Sequence, residues 1–443
     1  MDFWIRAAQL ILSLSILIVL HELGHYLAAR KFNTRVEKFY LFFNPYFSLF
    51  KKQIGDTEWG LGWIPLGGYV KIAGMIDESM DKEQMAQPVQ QWEFRAKPAW
   101  QRLIIMLGGI IVNIIVGFTL YILILFVWGE EKIDHAKLQN GVTVHPFLEQ
   151  YGFQSGDQIL KVEGQTPDEL QKLGMEIMIF GKTNFQVKHQ DGKIENIQLP
   201  EDIGQQLWQN NAEAAFNFRY FIDGILQVDS TSQAARIGLK KDDKIVSING
   251  IKPIFFDQIS SELFKNKGKK VKLEIKSGDS ISTKEFILNK KGVLGFVPKL
   301  SISTDTNAVF TKKYSFGESF ASGFSKGYKS IYANIAQFKY VFSKKGAESI
   351  GGFGSIGKLF PTTWNWQAFW TMTAFLSMML AIMNLLPIPA LDGGHVVFLI
   401  YEMVSGKPPG QRFMEIAQYT GFFILMALIL YANGKDLINA LFH

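Results

Sequence analysis

The stretch VLHELGHYLAA (residues 19–29) places three ionisable side chains, His21, Glu22 and His25, at the end of an apolar run. That run, AAQLILSLSILIVL, covers residues 7–20. Ionisable side chains are costly inside an apolar segment long enough to span a membrane, and they commonly mark a functional site there. The position of this cluster therefore predicts a spanning helix that carries a buried functional site.

Composition indicates that part of the chain lies in lipid. Of its 443 residues, 48% are hydrophobic and only 19% are charged, whereas a soluble domain carries about 25% charged residues. Four apolar segments have about the 20 residues that a bilayer-spanning helix needs. They lie near residues 4–29, 103–128, 366–386 and 413–432. We therefore predict a polytopic α-helical membrane protein with four transmembrane helices.

The first apolar segment has a second interpretation as a cleaved signal peptide. Its length is suitable, and Ala28–Ala29 resembles a cleavage site. Arg6 alone is a weak positive flank, however, and cleavage would discard both histidines of the cluster. The interpretation as a spanning helix is therefore preferred.

The distribution of charge predicts the orientation and excludes some partners. Residues 30–102 contain 11 lysines and arginines, so the positive-inside rule makes this loop cytoplasmic and puts residues 129–365 outside. Lys344, Lys345 and Lys358 on the outer side run against the rule. The net charge of +6 gives no reason to expect nucleic acid. The absence of cysteine excludes disulfides and cysteine-based metal sites.

The cytoplasmic loop contains an unusual apolar segment, WGLGWIPLGGYVKIAGM (residues 59–75). Its glycines and Pro65 argue against a helix. The composition suggests a short β-hairpin or a re-entrant loop that dips into the membrane, where protein or water must satisfy its backbone. A hairpin on the protein surface is the alternative.

Residues 129–300 have a globular composition and contain a weak internal repeat. GFQSGDQILKVEGQTP begins at Gly152, and IGLKKDDKIVSINGIKP begins at Ile237. Each reads as a turn, an alternating strand and a glycine turn. We predict two copies of a small β-rich module, 129–213 and 214–300, with net charges of about −7 and about +7 that would favour packing. Unrelated compositional drift is the alternative.

An amphipathic helix is predicted after the second module, within residues 301–365. Apolar and aromatic residues recur there at steps of three or four: Phe316, Phe320, Phe324, Tyr328, Ile331, Ile335, Phe338 and Phe342. Interspersed lysines favour a helix that lies on the outer membrane surface, and a buried core helix is the alternative.

His21 and His25 are spaced to bind one metal ion. Residues i and i+4 lie on the same helix face, and Glu22 lies about 100° further round, which suits a base that activates water beside the ion. A catalytic zinc site takes three protein ligands and keeps a position for water. The best candidate for the third ligand is Asp392 in PALDGGH, with His395 as its rival. A helix N-cap is the alternative role for this aspartate.

Four motifs, in this order, resemble the site-2 protease family of intramembrane zinc metalloproteases. They are HELGHY in the first span, LGWIPLGGYVKIAG in the loop, KPAWQRLIIMLGG before the second span and NLLPIPALDGG near the third. With two repeats between the second and third spans, the chain is most similar to the bacterial regulator-of-sigma-E protease type. This resemblance covers almost the whole chain and implies that the two modules are PDZ-like domains.

The resemblance assigns roles to individual residues. It implies that His21, His25 and Asp392 are zinc ligands and that Glu22 is the catalytic acid and base. It also implies two groups of substrate-binding residues. One group lies near the third span: Asn384, Pro387 and Pro389. The other lies in a membrane-associated β element that pairs with an extended substrate: Gly67, Gly68, Tyr69 and Val70. The chain departs from the family pattern at LGGIIVN, which keeps Asn113 but lacks a proline.

The resemblance also implies an architecture and a location. The PDZ-like domains would lie on the periplasmic side of a bacterial inner membrane, where they could bind peptide C-termini or limit substrate size. The parts of the chain would be the first two spans (1–128) with the β loop (30–102), the PDZ-like domains (129–213 and 214–300), the connector (301–365) and the last two spans (366–443).

The implied function is cleavage of transmembrane segments with Zn²⁺ as cofactor. Substrates would be single-span membrane proteins, such as anti-sigma factors or signal-peptide remnants. A metal transporter or a non-catalytic metal-dependent receptor is the alternative. The second and fourth spans hold almost no polar residues for a transport path, and a receptor would not need Glu22.

Overall fold

The computed structural model describes residues 2–75, 87–133, 140–167, 169–301, 309–341, 343, 345–346 and 350–442. It forms two compact units. The first, which we call the helical unit, comprises Met1–Glu130 and Lys313–His443. The second, the β unit, comprises Glu131–Lys312.

Along the chain, the β unit is inserted between the two segments of the helical unit. The α-helices are α1 (Asp2–Lys31), α2 (Ala99–Val127), α3 (Leu173–Phe180), α4 (Ile203–Gln209), α5 (Gln233–Arg236), α6 (Phe256–Lys265), α7 (Phe316–Val341), α8 (Phe353–Gly357), α9 (Trp366–Leu385), α10 (Asp392–Ser405) and α11 (Gln411–Phe442). The strands are β1 (Val36–Phe43), β2 (Phe50–Ile54), β3 (Thr57–Leu61), β4 (Ile64–Ile72), β5 (Glu130–Ile133), β6 (Val142–Val144), β7 (Gln158–Val162), β8 (Asn184–Lys188), β9 (Ile194–Gln198), β10 (Phe216–Phe218), β11 (Phe221–Val228), β12 (Lys244–Ile248), β13 (Lys270–Ser277), β14 (Ser280–Ile287), β15 (Phe296–Ser301) and β16 (Val309–Lys312).

Four helices of the helical unit are long and apolar enough to cross a membrane. In the described part of the chain these are α1, α2, α9 and α11. They coincide with the four apolar segments of the sequence, so the prediction of a polytopic α-helical protein is confirmed at the level of helix length and composition. Several β-sheets accompany them.

The backbones of α1 and α2 are in direct contact where the two helices cross. A Cβ atom added to Gly24 would lie 2.3 Å from the carbonyl oxygen of Gly108, and one added to Gly108 would lie 2.5 Å from that of Gly24. Small residues permit such close approach between membrane helices. The crossing sets the HELGH turn of α1 against the beginning of α2.

A four-stranded sheet lies beside α1 in the order β2-β3-β1-β4. Strand β1 is parallel to β3 and antiparallel to β4. The expected hairpin over residues 59–75 is therefore wrong in its pairing, because β1 lies between β3 and β4. The cause is local: the N–H groups of Gly62 and Trp63 donate to the carbonyls of Leu41 and Phe43, which carries the chain across the end of β1.

Strand β4 is an edge strand that lies along the apolar part of α1. Within the described part of the chain, no strand pairs with its outer edge. A Cβ atom on Gly68 would lie 2.7 Å from Ile18 Cγ2, which is 13 residues before the end of α1 at Lys31. Re-entry of this segment into the membrane stays a prediction, which its contact with the apolar part of α1 supports.

Helix α7 packs against α2, a contact that the expectation of a helix on the outer membrane surface did not include. Added Cβ atoms on Gly323 and Gly327 would collide with Ile122 and Phe118 of α2, and Phe324 stacks on Phe118 with ring centroids 4.6 Å apart. The periodicity argument counted only large side chains, whereas glycines form much of the contact face. Most of the aromatic side chains in the pattern stay exposed; Phe342 lies outside the described residues.

The β unit contains the same pattern of strand pairing twice. In the first copy β6 pairs with β10, and β7, β8 and β9 form a three-stranded antiparallel sheet. In the second copy β11 pairs with β15, and β12, β13 and β14 form the corresponding sheet. Helices α3 and α6 hold equivalent places in the two copies. Strand β10 thus belongs with the first copy, although it lies beyond the expected boundary at residue 213.

Candidate metal and catalytic site

Helix α1 presents two imidazoles to the first turn of α10. The Nε2 atoms of His21 and His25 are 3.2 Å apart. Asp392 Oδ2 lies 3.2 Å from Nε2 of His21 and 3.3 Å from Nε2 of His25. The structure therefore brings together the three residues that the sequence predicts as metal ligands, across 367 positions of sequence from His25 to Asp392.

The spacing and chemistry of these three atoms fit a zinc ion. Zinc takes imidazole nitrogen and carboxylate oxygen in tetrahedral geometry, which places the ligand atoms about 3.3 Å from one another. The observed separations match that value. Asp392 Oδ2 is also buried and makes no hydrogen bond within the described part of the chain. A bound cation would supply the partner that a buried carboxylate oxygen normally has.

The second ring nitrogen of His25 is fixed by the backbone of α2. Its Nδ1–H donates to the carbonyl oxygen of Ile105 at 2.8 Å. This bond selects the tautomer whose Nε2 carries a free lone pair, which is the tautomer that a metal ligand needs.

The equivalent nitrogen of His21 faces the side-chain amide of Asn113. Asn113 Nδ2 lies 3.2 Å from His21 Nδ1, while the amide oxygen Oδ1 is buried without a partner in the described structure. Nitrogen and oxygen of an amide are assigned from their hydrogen bonds. Turning the amide by 180° lets His21 Nδ1–H donate to Oδ1, which satisfies the oxygen and frees Nε2 of His21 for a metal.

Gly109 leaves the space in which the two imidazoles lie. A Cβ atom there would be 2.5 Å from His21 Cε1 and 2.5 Å from His25 Nε2. Any side chain at this position would displace a ring. Sequence reasoning assigned no role to Gly109 or Asn113. A signal was available, because these two residues are four positions apart on α2, as His21 and His25 are on α1.

The turn before α10 aims Asp392 at the histidines. Ala390 has a φ of 80°, a left-handed conformation that is uncommon for alanine, and its N–H donates to Gln418 Oε1 of α11 at 3.2 Å. Added Cβ atoms on Gly393 and Gly394 would collide with the carbonyl oxygens of Leu386 and Ile388. The prolines and glycines of this segment thus build a tight turn.

A cavity of about 400 Å³ opens at the cluster. His21, Glu22, His25 and Asp392 contribute to its wall, together with β4 and the turn before α10. The backbone of Val70 in β4 lies close to the carboxylate of Glu22, and both residues line the cavity. Glu22 therefore stands beside the candidate metal position without belonging to its three-atom cluster, as its helical position predicts.

The predicted substrate-binding residues separate into two groups. Gly68, Tyr69 and Val70 line the cavity, and Asn384 Nδ2 lies 3.3 Å from His21 Nε2. The remaining three, Gly67, Pro387 and Pro389, are not among the lining residues of the described structure. His395 does line the cavity, but it is not part of the three-atom cluster.

Known proteins resemble this chain over nearly its full length. The family model of peptidase family M50 matches residues 9–428. "Regulator of sigma E protease" of Haemophilus influenzae is 27% identical over 457 residues, which cover 99% of this chain and 100% of that protein. "Putative zinc metalloprotease Cj1068" of Campylobacter jejuni is 26% identical, covering 96% of this chain and 92% of the relative. "Putative zinc metalloprotease NMA0084" of Neisseria meningitidis is 28% identical, covering 97% and 98%.

Replacing Asn113 should weaken zinc binding without unfolding the protein. In Asn113→Leu, no side chain orients His21 through Nδ1, so zinc affinity should fall by about 10- to 100-fold. Zinc content after dialysis against graded concentrations of a chelator measures this.

Thr373→Val is a matched control for the loss of Asn113. It removes a different buried bond between helices, the one between Thr373 Oγ1 and Ser13 Oγ at 2.9 Å, and should keep zinc as the unchanged protein does. Equal zinc retention by the two variants would contradict the role given to Asn113.

Proposed function

The chain belongs to peptidase family M50 and is an intramembrane zinc metalloprotease, and on that premise we propose that His21, His25 and Asp392 hold the zinc ion while Glu22 is the acid and base. The observation that supports these assignments most directly is the triangle formed by the two Nε2 atoms and Asp392 Oδ2, an oxygen that makes no hydrogen bond in the described part of the chain. A metal transporter or a receptor without catalytic activity is not favoured.

The residues of the cavity divide the chemistry of peptide hydrolysis between them. Zinc, when bound, acts as a Lewis acid on water and on the scissile carbonyl. Glu22 takes a proton as water adds to the carbonyl carbon, and it returns the proton to the amide nitrogen as the C–N bond breaks. Burial keeps bulk water away from the site, so these charges act in a medium of low dielectric constant.

Substrate presentation is assigned to the outer edge of β4. The carbonyl groups of a helical substrate are engaged in its own hydrogen bonds, so the segment to be cleaved must first unwind. An extended segment can then add to β4 as a further strand through backbone hydrogen bonds. Gly68, Tyr69 and Val70 lie on the cavity wall at this edge, and Asn384 lies beside His21, where it can hold the substrate near the metal.

The location and substrates follow from the same proposal. The enzyme lies in the bacterial inner membrane with the β1–β4 sheet toward the cytoplasm, as the basic residues of this loop favour. Its substrates are single-span membrane proteins, such as anti-sigma factors or signal-peptide remnants. The two copies in the β unit are PDZ-like domains on the periplasmic side, an assignment supported by their matching pattern of strand pairing.

Removing the base should abolish cleavage while the metal stays. In Glu22→Gln the side chain keeps its size but takes up no proton, so cleavage of a single-span substrate should fall at least 100-fold. Zinc should remain at about one ion per chain, because Glu22 is not a ligand. Wild-type turnover by the purified variant would exclude Glu22 as the base.

The third ligand can be identified by comparing two neighbours on α10. Asp392→Ala should lose zinc and activity together, whereas His395→Ala should keep zinc. Metal analysis of both purified variants decides between them. A site emptied by loss of His395 and still filled after loss of Asp392 would reverse the assignment.

The proposed function of the β unit is to limit the size of the substrate's outer domain. The intact enzyme should cleave a substrate that ends in a short outer stub, and kcat/KM should fall as a folded domain of increasing size replaces the stub. If the modules instead recruit a free C-terminus, as many PDZ folds do, amidating the stub will slow cleavage and domain size will have little effect.

A further inference from the structure

Two lysines face each other on the wall of the cavity. Lys38 of β1 and Lys71 of β4 are cross-strand partners, and both line the cavity that holds the metal cluster. Like charges at directly opposed positions destabilise an antiparallel pair. We therefore expect an anion near these two lysines that offsets the repulsion between their ammonium groups.

Among the described residues, an ion pair with a carboxylate is seen for Lys71 and not for Lys38. Glu37 Oε2 lies 3.4 Å from Lys71 Nζ. Glu58, which is opposite Lys38 on β3, accepts a hydrogen bond from Tyr40 at 2.8 Å and lies 3.9 Å from Lys51 Nζ. Among the described residues, no ion pair involves Lys38, although its side chain is partly buried.

We propose that Lys38, together with Lys71, forms a subsite that selects an acidic side chain of the substrate. The proposal rests on the cavity being the proteolytic site. A substrate strand on the outer edge of β4 would lie about 5 Å from β4 and about 10 Å from β1. The long side chains of lysine and glutamate span such diagonal separations between strands. The anion thus belongs to the substrate segment beside the scissile bond.

The test is a set of single-span substrates in which each position near the scissile bond is in turn Gln, Glu or Lys. At one position, the unchanged enzyme should cleave the Glu substrate with a kcat/KM about tenfold above that of the Gln substrate. Lys38→Met should reduce this ratio to about one. Lys38→Glu should prefer the Lys substrate, an inversion that a purely structural role of Lys38 would not produce.

Lys52→Met is the matched control, because Lys52 is an exposed lysine of β2 in the same sheet and does not line the cavity. It should keep the wild-type ratio. Cleavage of the Gln substrates measures proteolysis without any charge preference. If the catalytic assignment fails, these substrates will show it, whatever the Glu-to-Gln ratio is.

Two outcomes would overturn the subsite. In one, the Glu-to-Gln ratio is the same in the unchanged enzyme and in both Lys38 variants at every position. In the other, no substrate position shows a preference, while phosphatidylglycerol inhibits the unchanged enzyme and spares Lys38→Met. The anion would then be a lipid phosphate rather than a substrate carboxylate.

Discussion

The structure depends on a buried carboxylate oxygen that has imidazole nitrogens as its nearest neighbours. Asp392 Oδ2 lies within 3.3 Å of both His21 and His25 and makes no hydrogen bond in the described part of the chain. A buried anion is tolerated only when it is paired or coordinates a metal. Under the proposed assignment, zinc between these atoms would meet that demand. It would also make three helices depend on one another, since α1 supplies the nitrogens, α10 the oxygen and α2 the groups that orient the rings.

Close backbone contacts are the condition for this arrangement. The contact of Gly24 with Gly108 brings α1 onto α2, and Gly109 leaves room for the rings. Lipid provides no hydrophobic force between helices, so contact between small residues and polar bonds has to hold them. The Ser13–Thr373 bond between α1 and α9 is of the latter kind. Glycine and asparagine on α2 thus shape and orient the candidate metal site, although they are not among its proposed ligands.

The sequence predicted the spans and the three residues that meet at the candidate metal site, because both depend on residue type and spacing. Four apolar segments and an i, i+4 pair of histidines are local signals, and Asp392 was one of few buried candidates. The pairing of β3 with β1 was not predictable in this way, since it depends on two backbone bonds from Gly62 and Trp63. The contact of α7 with α2 was missed for a related reason, because glycines contribute nothing to a hydrophobic pattern.

Under the proposed function, strand β4 connects substrate binding to catalysis. The backbone of Val70 lies close to the Glu22 carboxylate, and no strand of the described part of the chain pairs with the outer edge of β4. A substrate that adds to this edge would therefore lie beside the proposed base. Lys71 lies one residue further along β4 and faces the cavity together with Lys38. A change in the position of this strand would consequently alter substrate register and charge preference together, whereas the proposed metal ligands on α1 and α10 would keep their places.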